Sequence, residues 1–304
     1  MDYALTLLST TGINIILALS MYAVMSTGQL SLAQGAMFGI GAYAAAWCTT
    51  VAGLPLWFAL PVGSAIAALV GAALGAVLLR LKHFYFAIAT LAFGELVRVF
   101  FLNFEWTVET SSGPIGPRGQ LGFQKIYYLA EHGWTVAQFT GLVWAILAGL
   151  FAIFALLDVS RMGSAFKMVR DDEVVAAAVG LNTTAIKVTA FSLGSAVAAL
   201  GGGLYAHFAT FLLPGYFGFA RSFEALIYVA IGGIDTFLGA IVGAAFLTLI
   251  PESARIVQDY RMFVFGLLLI LVVLFRPRGV IDRGTLRWLR QLFRSRHAPD
   301  LARL

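Results

Sequence analysis

Residues 3–79 contain no lysine or arginine, and apolar runs of membrane-spanning length recur along the rest of the chain. A helix crosses a bilayer with about 20 consecutive apolar residues. Stretches that meet or approach this length are 4–24, 35–52, 55–79, 84–102, 138–157, 187–209, 222–234, 236–250 and 262–275. Only 12% of the residues are charged and 60% are hydrophobic, where a soluble domain carries about 25% charged residues. Most of the surface therefore does not face water. A membrane β-barrel would show alternating segments of about 10 residues, and these runs are longer. The expected fold is all-α: a polytopic transmembrane helix bundle of about eight to ten spans, nine by this count. The seventh and eighth spans are short and flank Ile231–Gly232–Gly233–Ile234–Asp235. They are expected to form a tight or partly re-entrant pair, which is tolerated only where protein or a water-filled cavity covers it.

Basic residues orient such a bundle, because they stay in the cytoplasm. Arg161, Lys167, Arg170 and Lys187 place the 158–187 loop there, and Arg80 and Lys82 place the 80–83 turn there. The tail 276–304 follows, with Arg276, Arg278, Arg283, Arg287, Arg290, Arg294, Arg296 and Arg303. Directly after a membrane helix, such a tail reads as an anchor at an anionic lipid surface rather than a nucleic-acid arm. The 103–137 loop sets Arg118 and Lys125 against Glu105, Glu109 and Glu131, and is expected outside, in the periplasm. Residues 1–275 thus form one transmembrane domain, with its N-terminus outside if nine spans cross. The start, MDYALTLLST, lacks a basic n-region, so the first helix is expected to be retained.

Chemistry is sparse. Cys48 sits in an apolar run and reads as a small buried hydrophobe. His83, His132, His207 and His297 are scattered without metal-ligand spacing. No Gly-Lys pair occurs, so there is no Walker A loop to cradle nucleotide phosphates. No catalytic residues, metal ligands or cofactor of its own are expected. The glycine clusters Gly35/Gly39, Gly71/Gly75, Gly201–Gly203 and Gly239/Gly243 fit close helix packing.

The most informative stretch is Ser160 to Asn182, SRMGSAFKMVRDDEVVAAAVGLN, which is too charged to cross a bilayer. It reads as one helix, capped by Ser164 and ended by Gly180. Phe166, Val169, Glu173, Ala176 and Ala177 fall on one stripe, with Lys167, Arg170, Asp171 and Asp172 around it. Such a helix suits a groove on a partner protein or merely connects two spans, and composition leaves both open. Inside the spans, Glu95 and Arg98 lie at i and i+3 and are costly in a membrane unless paired or facing a cavity. Asn14, Gln29, Ser31, Gln34, Thr90 and Ser192, together with Glu95, could line a route for a zwitterion, though each alone more often bonds between helices. Lys187 and Arg161 sit at span ends as interfacial anchors.

Several ordered motifs carry a family resemblance over nearly the whole chain: STGQLSLAQGAMFGIGAYAAA (Ser26 to Ala46), FYFAIATLAFGELVRVFFLN (Phe84 to Asn103), SSGPIGPRG, KVTAFSLGSAVAALGGGLYA (Lys187 to Ala206), IGGIDTFLGAIVGA and FRPRGV. The chain resembles the permease subunits of branched-chain amino-acid ABC importers, the M-type (LivM-like) group. The resemblance makes Arg161, Gly163, Arg170, Asp171, Asp172, Glu173, Ala176, Ala177 and Gly180 the loop that docks on an ATPase, although Glu173 lies seven residues before Gly180, outside the stricter family spacing. It implies an inner-membrane importer subunit for branched-chain or other hydrophobic amino acids, or, within the same group, for urea, amides or aromatic acids. It also implies a second, H-type (LivH-like) permease, two cytoplasmic ATP-binding subunits (LivG-like and LivF-like) that use ATP and Mg, and a periplasmic binding protein. The competing classes are an autonomous secondary transporter, which would need a coupling-ion site from Glu95, Glu224 or Asp235, and a membrane-embedded enzyme.

Overall fold

The computed structural model describes residues 2–253 except 80, 82, 111 and 112. The expected ninth span, the FRPRGV motif and the basic tail lie outside the described residues. The helices are α1 (Asp2–Met25), α2 (Gln34–Thr50), α3 (Leu56–Leu78), α4 (His83–Asn103), a short α5 (Tyr128–Glu131), α6 (Val136–Val159), α7 (Arg161–Asp171), α8 (Glu173–Ala178), α9 (Thr183–Ala209), α10 (Phe219–Gly232) and α11 (Phe237–Ser253). Among the described residues, α1, α3, α4, α6 and α9 are long and apolar enough to cross a membrane. A sixth crossing is available to the pair Pro214–Gly232 and Phe237–Leu249, which is bent by 113°. At 17 residues, α2 is at the short end of what can span.

The bundle is built on α9, which packs against α1, α2 and α3. The reason is visible in its small residues. A Cβ on Gly202 would collide with the Phe38 carbonyl oxygen, and one on Gly41 with the Ala199 backbone. Gly232, Gly239 and Gly243 close the α10–α11 pair in the same way. The glycine clusters thus serve close helix contact, since lipid supplies no hydrophobic drive between helices and backbone approach has to do it. Large apolar side chains such as Leu69, Phe84 and Leu156 point away from the bundle, as lipid-facing residues do.

The 103–137 loop carries regular structure. It forms a three-stranded antiparallel sheet, β1 (Val108–Thr110), β2 (Gly113–Pro117) and β3 (Phe123–Gln124). Phe123 exchanges both backbone hydrogen bonds with Leu212, just beyond α9. There Thr210, at φ 62°, turns the chain out of α9. The sheet therefore lies at the end of the bundle where α2 finishes and α9 finishes. The α1–α2 linker (26–33), α7, α8 and the α10–α11 elbow share the opposite end, through contacts described below.

Candidate functional site

The charged segment after α6 is two helices rather than one. Ser160, not Ser164, is the cap: its Oγ accepts from the Gly163 N–H at 3.1 Å, while Ser164 lies inside α7 and donates to the Ser160 carbonyl. Asp172 breaks the segment. It is extended, at φ −157° and ψ 108°, and its carboxylate accepts from the Val174 and Val175 N–H groups at 2.9 and 3.0 Å. An aspartate satisfies orphan amide donors at a helix start better than it continues a helix, so α8 begins anew there. Gly180 ends α8, at φ 87°: the Leu181 N–H reaches the Ala176 carbonyl and the Gly180 N–H that of Ala177. This is the Schellman arrangement, which needs a residue free to adopt positive φ.

The break also rotates the stripe. Gly163, Phe166, Val169 and Ala176 are buried against the bundle, but Glu173 and Ala177 are exposed, contrary to a single-helix projection. A Cβ on Gly163 would strike the Leu157 carbonyl, so this glycine lets α7 fold back beneath α6. The outer face exposes Val174 (78%), Val175 (52%) and Val179 (64%), beside exposed Asp171 and Asp172. Arg161 is exposed at the start of α7.

Three cations hold this hook to the bundle. Lys167 Nζ meets Asp158 Oδ1 at 2.5 Å at the end of α6. Lys187 is buried rather than interfacial, because Glu173 reaches it at 2.7 Å. Arg170 donates to Asp235 Oδ1 at 3.1 Å and to the Ile234 carbonyl at 3.3 Å.

The interior polar residues fall into linked groups. The non-helical linker 26–33 is largely buried between α1 and α2 and carries Gln29 and Ser31. Thr90 on α4 accepts from the Leu32 N–H at 3.0 Å, tying α4 to that linker. Gln34 opens α2 with 0% exposure, and among the described residues neither of its amide atoms has a hydrogen-bond partner; Gln29 Oε1 is likewise unpartnered. One residue on, the Gly35 N–H donates to Ser222 Oγ at 2.8 Å, joining the first turns of α2 and α10. One and two turns along α4 from Thr90, Glu95 and Arg98 pair at 2.6 Å and lie against Gly218, where α10 begins. Ser192 stands apart: it bonds the Ala68 carbonyl and joins α9 to α3.

Asn14 leads to a residue that the sequence reading missed. Its Oδ1 accepts from Arg221 Nη2 at 2.8 Å and its Nδ2 donates to Thr248 at 3.1 Å. Arg221 Nη1 also donates to Glu224 at 2.6 Å, and Tyr228 donates to the same carboxylate at 2.7 Å. The guanidinium lies 5.0 Å from the ring centres of both Phe38 and Tyr216. This network binds α1, α2, α10 and α11 around one buried cation. Arg221 lies one residue before the expected span 222–234, yet it is buried. Arg221 and Glu224, three apart as an i, i+3 pair, were the available signal.

All three carboxylates open to use as a coupling-ion site thus have an arginine: Glu95 has Arg98, Glu224 has Arg221, and Asp235 has Arg170. Among the described residues, no group of three or more His, Cys, Asp or Glu could hold a metal ion.

A bundle of long apolar helices with an elbowed pair and small-residue packing has the build of a multi-pass membrane protein, and its family is that of a transport permease component, not of an ATPase. The chain belongs to the family described as branched-chain amino acid transport system, permease component, whose model matches residues 3–273. It is 34% identical over 292 residues to the high-affinity branched-chain amino acid transport system permease protein LivM of Salmonella typhimurium, covering 89% of this chain and 68% of that protein. It is 30% identical over 152 residues to LivH of Escherichia coli K12, covering 49% of each chain. The autoinducer 2 import system permease protein LsrC of Escherichia coli O9:H4 is 26% identical over 299 residues, covering 92% of this chain and 81% of that protein. No solved structure matches the chain.

Proposed function

We propose that the chain forms part of the translocation path of an ATP-driven importer for branched-chain or other hydrophobic amino acids, and that α7–α8 is its cytoplasmic docking element for a separate ATPase. The observation that carries this reading is the outer face of α8. Val174, Val175 and Val179 are exposed on a segment too polar to lie in lipid, on a hook whose inner side is capped and ion-paired to the bundle. Exposed apolar side chains in such a place mark a protein interface. Ion pairs from both parts of the hook reach the bundle, so displacing it is expected to displace the spans. ATP and Mg act on the partner ATPases, a LivH-like permease completes the path, and a periplasmic binding protein delivers the solute. Within the path, Gln29, Ser31, Gln34, Thr90 and Glu95 are the residues that the solute meets. The unpartnered buried amide atoms of Gln29 and Gln34, beside the α1–α2 linker, suit a zwitterion in a broken-helix site. The pairing of Glu95, Glu224 and Asp235 with arginines argues against the autonomous ion-coupled alternative.

The topology is tested with Val174→Cys and a membrane-impermeant thiol reagent; the native Cys48 is buried in α2. The reagent is expected to label position 174 in inverted membrane vesicles, not in intact cells, and bound ATPase subunits are expected to protect it. Labelling from the outside of intact cells would refute the docking assignment.

A further inference from the structure

The helices of this bundle are stiff, so any rearrangement has to occur at their breaks. Three breaks meet at Arg170. The first is the α7–α8 joint, where Arg170 Nε lies 3.5 Å from Asp171 Oδ1. The second is the α10–α11 elbow, where the guanidinium grips the Asp235 carboxylate and the Ile234 carbonyl at 3.1 and 3.3 Å. The third is the α1–α2 linker: Gly28, at φ 76°, lies where an added Cβ would be 3.4 Å from both Cα and Cγ of Arg170. The Arg170 side chain is 16% exposed, and that of Asp235 28%.

We propose that Arg170, through its ion pair with Asp235, is the strut by which displacement of α7–α8 reaches the elbowed α10–α11 span and the α1–α2 linker. This rests on the reading that α7–α8 docks on an ATPase. The elbow is a hinge by construction: Gly232 and Gly233 precede Asp235, and Gly233 has φ 116°. A guanidinium holding a carboxylate and a carbonyl at once fixes direction as well as distance, which a lysine ammonium cannot do equally well. From the elbow, α10 carries the motion to Arg221, Glu224 and Tyr228, and through Asn14 to α1. Arg170 and Asp235 are positioning residues; neither has to touch the solute.

The test uses the complete importer in proteoliposomes and reads three quantities: ATPase subunits captured per permease, ATP hydrolysed, and solute taken up per ATP. Asp235→Asn is expected to leave capture intact and to lower uptake per ATP about tenfold, the size of one charge-assisted hydrogen bond. Arg170→Lys is expected to uncouple in the same direction. The exchange Arg170→Asp with Asp235→Arg is expected to restore uptake per ATP to within about threefold of the original. Normal coupling in Asp235→Asn overturns the strut. So does a loss that the exchange fails to repair. Should Asp235→Asn not accumulate in membranes, normal coupling in Arg170→Lys overturns it equally. An unaltered chain that captures no ATPase would instead sink the docking assignment on which the strut depends.

Discussion

Arg221→Ala is expected to destabilise the folded chain by about 3 kcal/mol, the lower end for breaking a buried ion pair. The lower end applies because the Glu224 side chain is 27% exposed while that of Arg221 is 3% exposed. The substitution removes more than a charge. It removes the Arg221 hydrogen bonds to Glu224 and to Asn14 Oδ1, and empties the space between the Phe38 and Tyr216 rings. Four helices lose their common tie. Thermal unfolding of the purified chain in detergent reads the effect. The double change Arg221→Met with Glu224→Gln should recover much of the loss, since removing both charges also removes their desolvation cost. A melting temperature unchanged in Arg221→Ala would show that the network is ornamental.

The second large effect falls on assembly instead of stability. Changing Val174, Val175 and Val179 together to serine should weaken capture of ATPase subunits about a hundredfold, because roughly 3 kcal/mol of apolar burial is lost at the interface. The three side chains are exposed, so unfolding temperature should stay within the small range of surface substitutions. Uptake should fall with capture. Full capture by the triple variant would place the docking surface elsewhere. The two experiments separate what holds the bundle together from what drives it.

How much of this could be read along the chain depends on the range of the interaction involved. The helices α1, α3, α4, α6 and α9 lie within a few residues of the apolar runs, because lipid demands a local, continuous signal. The elbow at Gly232–Asp235 was legible too, since two glycines and an aspartate cannot extend a span. The split at Asp172 was not. A lone aspartate inside a helical pattern looks like a surface charge until its carboxylate is seen on the Val174 and Val175 amides. Arg170–Asp235 and Arg221–Asn14 join residues 65 and 207 positions apart, with nothing local to announce either pair. The sheet in the 103–137 loop escaped for a similar reason. Its register, Val108 opposite Ile115, depends on pairing, while glycine and proline mark only the turns.

The proposed path is the least legible part. Gln29, Ser31, Gln34 and Thr90 do come together around one linker, but Ser192 bonds α3 and Asn14 serves Arg221. Polarity inside a span identifies a residue that needs a partner; only packing says whether another helix already supplies it.

The central claim is that this bundle has no energy source of its own and is moved from outside through α7–α8. Uptake of a branched-chain amino acid against its gradient in proteoliposomes tests it most directly, with ion gradients imposed and with the companion permease, ATPases, binding protein and ATP added or withheld. The account predicts uphill accumulation only when the ATPases and ATP are present. Accumulation by the permease alone under an ion gradient would contradict it.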